Sequence, residues 1–403
     1  MSELSRITER PRWILLVIIL SQFAGTSLWF ASNAVIPDLK QAWGLGLDSV
    51  GITTSAAQLG FILGTLAFAF FTIADRFSPR KIFFICSVVG ALFNIAILAP
   101  AGNLYLLLLI RVLTGICLAG IYPVGMKIAY GWYRQGLGHA LGFLVGALVV
   151  GTSFPHFVRS LGAQFPWEDV IIVVSLLAAT GGVLTYMFVP DGPYLTKRSS
   201  FVPGTLKIIF HSSSFRSAAF GYFGHMWELY TFYAFVPFML TAYIALHQSV
   251  APINISLWSF AIIAAGSLGC AGGGLFSDRL GSARVAWVQL LISGLLCCLS
   301  PFLYRCPEVL FLSLLVLWGI TVVGDSPQFS TLVARTAPAE LVGSALTITN
   351  SIGFAITIVS IEFISHLSQI IPPEYLFLFL APGPLVGLLS SYKLIRANHT
   401  VAG

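Results

Sequence analysis

Long apolar runs, separated by a few polar or basic residues, recur from one end of the chain to the other. Twelve of them lie over 13–36, 50–73, 82–101, 104–130, 138–159, 170–189, 216–242, 253–276, 285–304, 309–334, 341–366 and 375–393. Runs of about 18 residues or more have the length of a bilayer-crossing helix. The first, from Trp13, is too long for a signal-peptide core and is followed by further spans, so it is expected to remain in the protein. Connections are short except over 190–215, "PDGPYLTKRSSFVPGTLKIIFHSSSF". The pattern predicts an all-α membrane protein: an N-terminal six-helix bundle over 1–189, a linker over 190–215 and a C-terminal six-helix bundle over 216–403.

Composition sharpens this. Of 403 residues, 57% are hydrophobic and only 9% charged, which excludes a sizeable soluble domain. The net charge of +6 does not signal nucleic acid, because the basic residues alternate by side. With the amino terminus inside, the inner connections hold Arg6, Arg10, Arg12, Arg76, Arg80, Lys81, Arg134, Lys197, Arg198, Lys207, Arg216, Arg279, Arg284, Arg335, Lys393 and Arg396, whereas the outer ones hold Lys40, Arg159 and Arg305. That asymmetry predicts an inner (cytoplasmic) membrane protein with both termini cytoplasmic and its basic side against anionic headgroups. The six cysteines show no metal-ligand spacing and read as packing residues. No cofactor is expected.

The halves repeat each other. "LTGICLAGIYPVG" from Leu113 matches "LWGITVVGDSPQF" from Leu317, pairing Gly115 with Gly319, Gly120 with Gly324 and Pro123 with Pro327. "ADRFSPRK" over 74–81 matches "SDRLGSAR" over 277–284, and Phe23, Ala34 and Pro37 return as Phe223, Ala234 and Pro237. A duplicated six-helix unit is the design of a carrier whose halves rock about a midplane site.

In these residues the chain resembles the major facilitator superfamily. Gly274, Asp278, Arg279, Gly281 and Arg284 fit the start of that family's loop motif, and Arg111 with Gly115 fits its helix 4 pattern. The first loop keeps Asp75, Arg76, Arg80 and Lys81 but departs at Ser78 and Pro79. The resemblance implies the family fold, with helices 1, 4, 7 and 10 around a central cavity. Three departures narrow the function. Gly142 and Gly146 are followed by Ala147 rather than the antiporter Gly-Pro pattern. Spans 50–73 and 253–276 lack the paired arginines of nitrate carriers. The sugar-porter signature after helix 6 is missing.

Burying a charge in hydrocarbon costs about 3 kcal/mol or more, so ionisable residues inside spans point to function or to a partner. Glu228 and Asp325, with His225 one turn from Glu228, are the expected proton-coupling residues. Gln22, Thr26, Trp29 and Asn33 recur at helical spacing as a polar stripe about 16 Å long. With Arg111, Tyr222, Trp227, Tyr230, Tyr233, Gln328 and Asn350 they form the expected solute-binding set, Arg111 being open to a purely structural role. Glu362 and Lys127, near span ends, read as interfacial. Asp75, Arg76, Asp278 and Arg279 are expected to latch helix ends when the inside is shut. The expected function is a secondary active transporter, a monomer, taking up a small polar or amphipathic solute with protons by alternating access. A proton-driven exporter is the alternative within transport. A polytopic enzyme or sensor is disfavoured, since no clustered catalytic residues and no ATP-binding loop occur.

Overall fold

The computed structural model describes residues 13–46, 48–99, 102–133, 137–162, 166–195, 205–247, 253–338 and 341–397. Among the inner basic residues, Arg6, Arg10, Arg12, Arg134, Lys197 and Arg198 lie outside these ranges, and the side chains of Asp75 and Arg396 lie outside the described ones. Twelve helices are long and apolar enough to cross a membrane: α1 Trp13–Trp43, α2 Ser49–Phe70, α3 Pro79–Leu98, α4 Leu104–Trp132, α5 Ala140–Ser160, α6 Trp167–Phe188, α7 Ser213–Leu246, α8 Ile255–Leu280, α9 Ser282–Leu303, α10 Glu308–Thr336, α11 Val342–Leu367 and α12 Pro373–Ile395. Helices satisfy their own backbone, as hydrocarbon requires. Large apolar side chains such as Leu63, Leu109, Leu268 and Val309 are exposed around the outside.

Packing follows the sequence repeat. In the first half α1 packs on α5 and α6, α2 on α4, and α3 on α4 and α6. The second half repeats the set as α7 on α11 and α12, α8 on α10, and α9 on α10 and α12. The two most extensive interfaces between the halves are α5 on α8 and α2 on α11, and each maps onto the other when six is added to one helix number and subtracted from the other. Small residues bring backbones together where apolar attraction between helices is weak. A Cβ on Gly115 would sit 2.2 Å from the Ala57 carbonyl oxygen, and one on Gly319, its repeat partner, 1.9 Å from that of Ile262.

Three spans are broken near mid-membrane. α4 breaks between Ala119 and Tyr122, and α10 at Asp325 between Gly324 and Ser326. These are equivalent points of the repeat, each with a proline at the second position of the following helix. Pro123 and Pro327 have no N–H and push away the carbonyls four residues back, those of Ala119 and Val323. The buried Cys270 thiol donates to the Val323 carbonyl at 3.6 Å.

α1 breaks over 27–30 without a proline. Thr26 Oγ1 takes the Gln22 carbonyl at 2.8 Å and Ser27 Oγ that of Ala24 at 2.7 Å, and hydroxyls that bond backward compete with the helix ladder. The expected end of this span at 36 is wrong. The helix resumes at Ala31 and runs through Pro37 to Trp43. The expected linker is not all loop either: Thr205–His211 is a short helix that buries Ile209.

Candidate functional site

The halves meet around an aromatic cluster at mid-membrane. The Trp29 ring, in the α1 break, stacks on Tyr230 of α7 at 5.6 Å and Phe354 of α11 at 5.7 Å. Phe61 of α2 packs on Phe354 at 4.4 Å, and Phe30 on Tyr233 at 6.2 Å edge-to-face. Such pairs add about 0.5–1.5 kcal/mol each beyond area burial, and all four join the first half to the second. Beyond them, toward the far side from the termini, α5 and α8 touch at Phe157 and Phe260, 5.0 Å apart. There α2 and α11 are so close that a Cβ on Gly51 would lie 2.7 Å from Ser365 Oγ. On the far side the two halves are in contact at both places.

On the terminus side of the cluster lies a narrow pocket with about 30 Å³ of free space inside its mouth. Helix α7 contributes Tyr222, Met226, Leu229, Tyr230 and Tyr233, the i, i+4, i+7, i+8, i+11 positions of one helix face. α5 adds a stripe from Val145 to Thr152, α11 adds Asn350 and Phe354, and the broken helices add Tyr122, Val323, Ser326 and Ser330. None of these side chains carries a formal charge. Tyr233 Oη is buried without a hydrogen-bond partner among the described residues. Tyr122, Ser326, Ser330 and Asn350 are partly exposed, so the pocket is accessible from the terminus side.

Of the residues the sequence singled out, Tyr222, Tyr230, Tyr233 and Asn350 line this pocket, and Trp29 roofs it. The rest do not. The break at 27–30 takes Trp29 and Asn33 off the face of α1 that Gln22 and Thr26 share, and that face packs on the first half's own helices. Gln22 faces Gly125 of α4, where a Cβ would lie 1.9 Å from its Oε1, and Thr26 faces Gly151 of α5. Asn33 Nδ2 donates to Thr54 Oγ1 of α2 at 2.7 Å. Trp227 points to the outer side of α7, its Nε1 donating to the Phe379 carbonyl at 3.1 Å. Gln328 is buried off the pocket wall.

Arg111 is wholly buried, and its guanidinium donates to the carbonyls of Leu28 (3.2 Å) and Trp29. Those are the groups the α1 break leaves unpaired, so Arg111 anchors the bent segment that carries Trp29.

The carboxylates also depart from expectation. Glu228 and His225 do share a face of α7, but it is the face turned away from the pocket, into the second half. Glu228 accepts three hydrogen bonds there: from Trp318 Nε1 at 2.6 Å, from Ser293 Oγ at 3.0 Å and from the Cys297 thiol at 3.4 Å. No cation is among these partners. His225 Nδ1 lies 2.8 Å from Asp325 Oδ1, both side chains being buried. This contact is an ion pair whenever the imidazole is protonated. It sits directly behind the pocket wall: the His225 ring is 5.8 Å from that of Tyr222, and Asp325 precedes the pocket residue Ser326.

Three donors converge on Glu228, and Glu228→Gln leaves one acceptor oxygen where there were two; Ser293 Oγ can turn to accept from the new NH2, but Trp318 Nε1 can only donate. Leaving one buried donor unmet costs about 1–3 kcal/mol. A lower unfolding midpoint in detergent is the expected result. An unchanged midpoint would show that the three contacts do not hold the carboxylate.

At the terminus-side loops Arg76, Asp278 and Arg279 are exposed. The short helix Ile73–Arg76 is tied to α4 by Lys127, which donates to the Ala74 carbonyl. Ser78 Oγ donates to Asp191 Oδ1 at 2.8 Å, tying the same loop to the segment after α6. On the far side, Arg159 of α5 forks onto Asp38 of α1 at 2.8 and 3.1 Å.

The family model of the Major Facilitator Superfamily matches residues 17–361. The chain belongs to the Major Facilitator Superfamily. As a member of that superfamily it resembles named transporters, not enzymes. It is 32% identical to a gallate transporter of Pseudomonas putida over 44% of this chain and 40% of that one. It is 24% identical to a hexuronate transporter of Bacillus subtilis (strain 168), over 56% of this chain and 57% of that one. These matches span about half of the relatives' length. The crystal structure of a nucleoside transporter superposes with a TM-score of 0.72 at 14% identity, over 94% of this chain and 99% of that one, a likeness of fold.

The pocket residues missed by sequence reasoning had a signal in the repeat. Tyr122 and Ser326 are equivalent positions, each directly before the proline of a broken helix.

Proposed function

We propose that this superfamily member is a secondary active transporter that takes up a small hydroxylated carboxylic acid together with protons. The observation that carries the reading is the pocket: four tyrosines, two serines, a threonine and an asparagine on aromatic and aliphatic walls, with no charged lining side chain. Hydroxyl and amide groups suit a solute that both donates and accepts hydrogen bonds. Gallate and hexuronate, the solutes of two relatives, are both hydroxylated carboxylates. With Arg111 committed to backbone carbonyls, a carboxylate in this pocket meets no fixed cation. A proton travelling with it removes the cost of burying its charge.

His225 and Asp325 are the assigned coupling pair, and Glu228 is an anchor between α7, α9 and α10. The asymmetry of basic residues argues for termini in the cytoplasm, which makes this an inward-facing state closed by the Trp29 cluster. Asp75, Arg76, Asp278 and Arg279 are assigned to closing the opposite end in the alternate state. The missing antiporter pattern in α5 favours uptake.

Reconstituted protein under an inward proton gradient tests this against gallate, a hexuronate, an uncharged polyol and an organic cation. Accumulation of a hydroxylated acid, collapsed by a protonophore, is expected. Accumulation of the cation instead would overturn the solute class, and accumulation indifferent to the protonophore would overturn the coupling.

A further inference from the structure

A second cavity lies on the far side of the second half, where α7 and α9 end and α12 begins. It holds about 220 Å³ of free space. One wall is a stack of rings: His247 on Tyr243 at 4.2 Å, Tyr243 on Phe311 at 4.0 Å, and Phe311 against Tyr304 at 5.8 Å. Tyr243 Oη donates to the Cys306 carbonyl at 2.8 Å, and His247 Nδ1 lies 3.0 Å from the Tyr243 carbonyl. The wall is therefore built rigidly from groups that already have partners.

Two polar atoms of the lining residues are different. Tyr304 Oη, on a side chain only 2% exposed, and Glu374 Oε2 are buried without a hydrogen-bond partner among the described residues. Buried polar atoms of this kind are costly when unmet, and nearly all of them in folded proteins have a partner. Arg305 lines the same cavity and is exposed.

We propose that this cavity binds a phospholipid headgroup in which a primary ammonium stands beside the phosphate. The ammonium has three N–H donors and no acceptor. It satisfies Glu374 Oε2 and Tyr304 Oη together and neutralises the carboxylate. Arg305 supplies the positive charge that a phosphate needs. A quaternary ammonium has no N–H to offer either oxygen, and a purely anionic headgroup would set its charge against Glu374. The cavity opens at the ends of membrane-spanning helices, the depth of headgroups, and Phe302 and Tyr375 beside it are exposed, as surfaces for acyl chains. The site is separate from the central pocket and does not rest on the transport reading.

Native mass spectrometry of the purified full chain, titrated with phosphatidylethanolamine, phosphatidylcholine and phosphatidylglycerol, tests this. Ethanolamine lipid is expected to be retained about tenfold better than choline lipid, a difference of about 1.4 kcal/mol. Glu374→Gln and Tyr304→Phe, the latter removing only the hydroxyl, should each erase most of that preference. Glu168→Gln on the far side of the first half should leave it intact. Displacement by soluble phosphoethanolamine would assign the site to the free headgroup, and its failure to displace would assign the site to the intact lipid. Equal retention of the three lipids by the wild-type chain, which needs no mutant to fold, overturns the proposal, as does an unchanged preference in both variants.

Discussion

On the proposed coupling, Asp325→Asn is expected to abolish uphill accumulation while leaving exchange of solute down its gradient. The carboxylate is wholly buried, 2.8 Å from His225 and adjacent in sequence to a pocket residue. It lies at the break of α10, where helix ends can shift without rupturing a continuous ladder. An asparagine keeps the shape and a hydrogen-bonding group but cannot exchange a proton. One proton moved through 100 mV supplies about 2.3 kcal/mol, enough for roughly forty-fold accumulation at 1.4 kcal/mol per tenfold. The ratio should fall to unity in Asp325→Asn, and counterflow between equal internal and external pH should continue. Proteoliposomes loaded with labelled solute check both numbers in one preparation. If Asp325→Asn still concentrates solute as the parent does, the assignment of coupling to the His225–Asp325 pair is wrong.

Arg111→Ala is expected to be the most destabilising single change in the first half. It removes both donors from the carbonyls of Leu28 and Trp29 and empties one of the largest fully buried side-chain volumes in the chain. Two hydrogen bonds from a charged donor are worth about 1.5–3 kcal/mol each, and carbonyls left bare in a dry interior cost more. A loss of roughly 3–5 kcal/mol follows, at the upper end for one substitution. Arg111→Lys should recover only part of it, because one ammonium replaces a fork whose donors are spaced to reach both carbonyls. Chemical unfolding in detergent gives the stability. Trp29 fluorescence, read in a background where other tryptophans are replaced, reports whether the roof of the pocket has moved. A stable Arg111→Ala with Trp29 undisturbed would mean that the α1 break holds itself open.

The twelve spans, the duplication and the family were legible in the sequence because each is written in composition and spacing. Apolar length makes a membrane helix wherever it occurs, and a repeat offset survives whatever packs around it. The site was only half legible. Tyr222, Tyr230, Tyr233 and Asn350 reached the pocket because the α7 and α11 helices run unbroken there, so helical spacing translates into a common face. Trp29 and Asn33 share that spacing with Gln22 and Thr26 but not their face, since the chain unwinds after Thr26 and no proline marks the place. Glu228 and His225 were correctly put on one side of α7. Which side faces the pocket depended on where α9 and α10 offered Ser293, Cys297, Trp318 and Asp325, residues that lie 65 or more positions away from Glu228 in sequence.

By itself, then, the sequence determined that this protein lies in a membrane, that it is twelve helices in repeated sixes, and that it carries charges which hydrocarbon would not tolerate alone. Only the tertiary structure decided what each charge sits against. A buried carboxylate or guanidinium is defined by the partners within about 3 Å of it. In this fold those partners come from helices that neither local propensity nor periodicity can bring together.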